Sequence, residues 1–203
     1  MHLNPQRCAL LMIDLQNDFL HPQGAYARGQ CANPKAQALP QLVLPLAQTL
    51  KASGGLVVSS HFTLWPNAQG EPMISPHLKA LRPFLRKGDF APDSWGEKDV
   101  EPLSSSVDFS VRKVAYSAFY NTQLDWALRK AGIDTLAICG IVTNGGVAST
   151  VRDAHMRDYH VQVLSDACAA FSDVIHQTSL VDMGTVAEVI TCEQFMQALK
   201  ASE

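Results

Sequence analysis

The apolar positions of the chain fall into two alternating patterns. Short continuous apolar runs occupy residues 8–14 and 55–60, and further strand candidates lie at 110–114, 135–139, 160–164 and 186–190. The first two are unbroken enough for strands covered on both faces. Between the runs, apolar residues recur with helical spacing, most clearly over 36–53, 122–131, 146–157, 173–183 and 193–201. Strands alternating with helices imply right-handed crossovers, so the pattern predicts an α/β fold of three layers, α/β/α, around a mostly parallel six-stranded sheet. The segment 61–108 breaks the rhythm with Trp65, with Pro66, Pro72, Pro76, Pro83, Pro92 and Pro102, and with Gly70, Gly88 and Gly96. It reads mostly as loop, serving either as a lid or binding wall or as an interface.

Composition fits that picture. At 203 residues, 47% hydrophobic and 17% charged, the chain is expected to form one domain spanning 1–203. A formal net charge of −3 gives no reason to expect nucleic acid or an anionic membrane as partner. No apolar run approaches the roughly 18 residues of a membrane span, and no signal-peptide core follows the N-terminus; a cytoplasmic location is expected. Cys8, Cys31, Cys139, Cys168 and Cys192 include no Cys-x-x-Cys pair and no zinc-like spacing, so they read as reduced thiols.

In a parallel α/β sheet, ligands bind beyond the carboxyl ends of the strands. Asp14 follows a run of apolar residues, where a carboxylate is costly without a partner; it is either a functional acid or a loop brace. Lys113 lies at the end of the third run and is either a surface lysine or Asp14's partner across adjacent strand ends. The stretch GIVTNGGVAST at 140–150 has the character of a strand delivering a tight loop to a helix start, where backbone N–H groups can stabilise developing negative charge. It contains no obvious nucleophile.

Together, IDLQNDF at 13–19, KVAYSAF at 113–119 followed by Thr122 and Leu124, GIVT at 140–143 with Val147, Thr150, Asp153 and Ala154, and SDA at 165–167 resemble the isochorismatase-like, or cysteine hydrolase, superfamily. The resemblance covers nearly the whole chain. It implies a hydrolase of a small molecule whose site is built from an Asp, a Lys and a Cys, the first two matched by Asp14 and Lys113. The family's cysteine aligns with Gly146, so the nucleophile of covalent catalysis is missing. Cys139, inside the preceding strand, is a poor substitute. The resemblance further implies an amide-lined pocket or oxyanion loop at Val142, Thr143, Asn144 and Gly145, a cis peptide between Ile141 and Val142, and pocket walls from Phe19, Tyr116 and His61.

Metal-binding members of the family carry Asp-x-His after the second strand, where this chain has SSHFT at 59–63; no metal and no cofactor are expected. The isochorismatase branch tolerates Gly at the cysteine position because a vinyl ether is cleaved by proton transfer from the Asp and addition of water. That points to a substrate carrying a carboxylate, which Lys113 would bind, with burial and Lys113 pulling the acidity of Asp14 in opposite directions. A family member kept for binding or assembly, or an amidase with another nucleophile, is the alternative. The resemblance also implies a homo-oligomer, a dimer or tetramer, for which Trp65, Phe84 and Trp95 are the interface candidates.

Overall fold

Six apolar residues at Cys8–Ile13 form β1, every one of them buried, and the equally buried Thr135–Ile141 forms β4 beside it. With β2 (Leu56–Phe62), β3 (Phe109–Lys113), β5 (His160–Ala169) and β6 (Glu188–Ile190) they make a six-stranded, all-parallel sheet in the order β3-β2-β1-β4-β5-β6. The computed structural model describes residues 3–201. The fold is the expected three-layer α/β/α arrangement.

The helices are α1 (Asn17–Leu20), α2 (Ala25–Arg28), α3 (Pro34–Ala52), α4 (Pro76–Leu81), α5 (Leu124–Lys130), α6 (Ala148–His155), α7 (Asp173–Met183) and α8 (Cys192–Lys200). Alternation along β1 divides the core. Leu10 and Met12 face α3 and α8 together with Leu46, Leu50, Phe195 and Leu199. Leu11 and Ile13 face α5, α6 and α7 with Leu124, Val151 and Met183. Helix α3 starts two residues earlier than its periodicity suggests, because Asn33 caps it and Pro34 sits in its first turn, where a missing N–H costs nothing.

Two departures from the sequence reading concern the site. The helix expected from 146 is preceded by a π-helical turn, Thr143–Val147, before α6 begins. The SDA motif lies inside β5, because the β4–β5 register shifts between Ile138 and Gly140 and the strand runs on to Ala169. The 61–108 segment is mostly irregular, with α4 and a short 3-10 turn, Leu103–Ser106, and its first residues complete β2. Trp65 and Trp95 are about half exposed, but Phe84 is partly buried, packing against the Tyr26 ring (centroids 5.2 Å apart), and presents no free aromatic face.

The chain lays β1, β2 and β3 outward on one side and β4, β5 and β6 on the other. The strand order therefore reverses between β1 and β4, the point at which open α/β sheets form a crevice at their carboxyl ends. Asp14 leaves β1 there and the 140–147 loop leaves β4. Gly140 permits the meeting: its φ is +119°, and a Cβ on it would lie 2.2 Å from the carbonyl oxygen of Ile13. No other residue fits.

Candidate active site

Asp14 is the first residue beyond β1 and holds a left-handed conformation, φ +57°, with its N–H bonded to the Ser60 carbonyl at 3.0 Å. Asp tolerates this region better than most residues, and the strained turn fixes where its carboxylate lies. Lys113 Nζ donates to Asp14 Oδ2 at 2.7 Å and to the Ala115 carbonyl at 3.1 Å; Ser60 Oγ donates to Asp14 Oδ1 at 3.2 Å. The pair is buried, with 5% of Asp14 and 2% of Lys113 exposed.

The two residues are not on adjacent strands, as the sequence suggested. β2 separates them, so the lysine reaches across it, its ammonium 5.8 Å from the centre of the Phe62 ring. Burial pushes the Asp14 carboxyl above the usual carboxylate range and outweighs the pull of Lys113 and of the Lys113 and Ser60 hydrogen bonds. The opposition between burial and the lysine is thus resolved in favour of burial.

Gly146 lies in the π turn opposite this pair. A Cβ built on it would stand 3.3 Å from Asp14 Oδ2. Thr150 holds the turn, donating to the Gly146 carbonyl at 2.7 Å while accepting the Ala118 N–H at 3.0 Å, so it ties the 113–119 segment to the loop. Thr143, fully buried, pairs with His176 Nδ1 at 2.8 Å, and burial holds that histidine below its usual range. The peptide between Ile141 and Val142 is cis.

The remaining site candidates divide. Val142 and Phe19 line a small cavity with Tyr26, Asn33, Ile141 and Phe171. Its volume of about 10 Å³ suits a single water, and Asn144, Gly145 and Gly146 do not line it. Gly145 is buried, whereas Asn144 is exposed and Tyr116 is 60% exposed, its ring covering the face of Gly145. Tyr116 is a rim residue because the turn after Lys113 carries it outward.

His61 faces the other side of β2 from Ser60, pairing with Asp99 Oδ2 at 2.8 Å while Ser59 Oγ donates to Asp99 Oδ1 at 2.6 Å. It borders an open cleft of about 720 Å³ with Trp65, Glu97 and Arg112. Neither Asp14 nor Lys113 reaches that cleft. Burial lowers the His61 imidazole and the Asp99 carboxylate raises it by more, leaving it above its usual range. Among the described residues, no three His, Cys, Asp or Glu side chains converge as a metal site.

Cys139 is fully buried on the α3 and α8 face, opposite Ile13, and burial pushes its thiol well above the ordinary range. Burial likewise takes Cys168 up to about 12. Neither is poised as a thiolate.

The model of the isochorismatase domain matches residues 8–194. The chain belongs to the isochorismatase family. An isochorismatase family protein of Escherichia coli O157:H7 is 30% identical over 201 residues, covering 98% of this chain and 100% of its own. A ureidoacrylate amidohydrolase of Acinetobacter baylyi is 30% identical over 91% of this chain and 80% of its own. Among solved structures, a cysteine hydrolase from Pseudomonas syringae superposes with a TM-score of 0.84 at 28% identity, covering 100% of this chain and 97% of its own. N-carbamoylsarcosine amidase from Thermoplasma acidophilum gives 0.71 at 27% identity, covering 92% and 96%.

The family's sequence signals thus led to Asp14, Lys113 and the loop. Ser60, Thr150 and His176 escaped notice as supports. Thr150 stood within the quoted motif, but nothing local showed which carbonyl it would hold; His176 carried no signal, because only the packing of α7 against the π turn brings it to Thr143.

Proposed function

We propose that this isochorismatase-family protein hydrolyses a small carboxylate-bearing vinyl ether without a cysteine nucleophile, with Asp14 as general acid. The observation that carries this reading is the buried Asp14 carboxyl, raised by burial despite an ammonium at 2.7 Å and facing Gly146, the residue at which the family resemblance implies a thiol. A carboxyl raised in this way holds a proton closer to neutral pH, where it is useful as an acid.

Asp14 gives its proton to the terminal vinyl carbon, and positive charge develops on the ether carbon as an oxocarbenium ion. Water adds to that carbon and loses a proton; the resulting hemiketal collapses to a keto acid and an alcohol. Asp14, now a carboxylate, is stabilised by Lys113 and Ser60 until solvent returns its proton. Lys113 thus serves the conjugate base of the acid. Gly146 leaves the space in front of Asp14 to substrate, and a positioned acid is worth about 10²–10⁴-fold.

A second reading is favoured by the relatives, of which several are amidohydrolases. In it, Asp14 acts as a base toward a water that replaces the thiolate. Purified protein assayed with isochorismate and with a panel of small amides separates the readings. Turnover of isochorismate should be abolished in Asp14→Asn and survive alkylation of the cysteines. Loss on alkylation contradicts the proposal, and silence toward every substrate favours a member kept for binding.

A further inference from the structure

The proposed substrate carries a carboxylate, and the cation that the sequence offered for it is already engaged. Lys113 Nζ is bound to Asp14 and to the Ala115 carbonyl, and only 1% of its side chain is exposed. Other cations around the site are paired as well: Arg28 with Asp89, Lys35 with Asp173, Arg112 with Glu97 and Asp93, and His61 with Asp99. Arg82 is different. It follows α4 and is partly buried, and its recorded partners are both neutral: Nε donates to Tyr26 Oη at 3.1 Å and Nη1 to the Leu81 carbonyl at 2.9 Å. Among the described residues, no carboxylate forms an ion pair with it.

The place of this guanidinium gives the missing charge a meaning. Its central carbon stands 5.8 Å from the centre of the Tyr26 ring and 5.4 Å from that of Phe171. Those rings stack at 6.0 Å with only 9° between their planes, and both wall the small cavity that Phe19, Ile141 and Val142 complete beside the 140–147 loop. Tyr26 packs on Phe19 with centroids 4.7 Å apart, Phe19 on Phe62 at 6.3 Å, and Lys113 Nζ lies 5.8 Å from the Phe62 ring, so a chain of rings joins this wall to the partner of the acid. A guanidinium fixed over aromatic faces, with its Nη2 edge unspent, has the planar fork that grips a carboxylate through two parallel hydrogen bonds.

The geometry points to Arg82 as the carboxylate receptor of this site: it holds one carboxylate of a small substrate whose apolar body lies against Tyr26, Phe171 and Phe19. The inference rests on the small-molecule reading of the same site. With a cavity sized for one water, entry moves the wall that Tyr26 and Arg82 form, and the substrate carboxylate takes over the guanidinium as that wall opens. Arg82 thereby selects for charge, while Asp14 performs the chemistry.

Benzoate and benzamide share shape and differ in charge, so calorimetric titration of both into the wild-type, Arg82→Gln and Arg82→Lys proteins tests the assignment. Wild type should bind benzoate more tightly than benzamide. Arg82→Gln should weaken benzoate about tenfold or more, the equivalent of one charge-assisted hydrogen bond, and leave benzamide unchanged. Arg82→Lys, which keeps the charge and loses the fork, should fall between. Equal affinity of wild type for the two probes, absence of benzoate binding, or an Arg82→Gln protein that binds benzoate like wild type would overturn the assignment. Titration reads no turnover. A protein that is silent toward isochorismate yet discriminates the probes through Arg82 keeps this inference and loses the vinyl-ether reading; active protein indifferent to Arg82 does the reverse.

Discussion

A Cβ on Gly146 would meet Ile13 Cγ2 at 2.9 Å, the Ile141 carbonyl oxygen at 3.0 Å and Asp14 Oδ2 at 3.3 Å. A cysteine there is crowded, since the nearest atom is the branch methyl of a buried β-branched residue with little rotamer freedom, and Ile13 must shift to admit it. Gly146→Cys is therefore expected to cost about 1–2 kcal/mol of stability through overpacking, measured by chemical denaturation. Its thiol would stand beside Asp14 and within reach of the Lys113 charge, an environment that favours thiolate. Iodoacetamide should label it faster than the partly buried Cys31 and Cys192, and amidase activity should emerge. A thiol at 146 labelled more slowly than either would show that the surroundings no longer activate a nucleophile. At this scale the sequence was most informative where it was most anomalous. Asp14 ends an apolar run, and Gly146 stands where the motif resemblance implies a cysteine. Arg82 gave no such signal, because its distinction is a place over Tyr26 and Phe171 without an acidic partner, a property of space and not of order along the chain.

The strands and helices explain why the loop after β1 is so polar. Gln16, fully buried, accepts the Phe62 N–H through Oε1 and donates through Nε2 to the carbonyls of Phe62 and Glu97. Asn17 Nδ2 donates to the Trp95 carbonyl, and Asp18 accepts the N–H groups of Ala25 and Phe90. Most of the IDLQNDF motif thus fastens the 61–108 segment to the end of β1, and only Asp14 faces Lys113. Gln16→Ala should leave several buried backbone groups unpaired and cost about 3 kcal/mol, with a corresponding drop in the urea midpoint. An unchanged midpoint would show that the segment is held by other contacts. Hydrophobic periodicity found β1, β2, β4, β5 and most of the long helices because each has a buried face, whereas β6, with no buried residue, was marked only by its Val and Ile. It missed α1, α2 and α4, which span four to six residues, too few to display a helical period. It also set β1 and β3 side by side, since strand order is decided by crossovers that no local pattern records.

In the whole molecule, the reversal of strand direction of travel between β1 and β4 gathers the acid, its lysine and the glycine turn at one crevice, and the two helical layers dry it. No helix among the described residues is long and apolar enough to cross a membrane. Burial raises the Asp14 carboxyl against the pull of Lys113, the direction that the proposed general acid requires. The pH dependence of kcat/KM for isochorismate tests this account most directly, because it reports the ionisation of the free protein. An acid must be protonated to act, so the account predicts a rate that is high at low pH and falls, tenfold per pH unit, as the pH rises through the raised Asp14 pKa. A rate that instead climbs through that range, with Asp14 active only as a carboxylate, would contradict it.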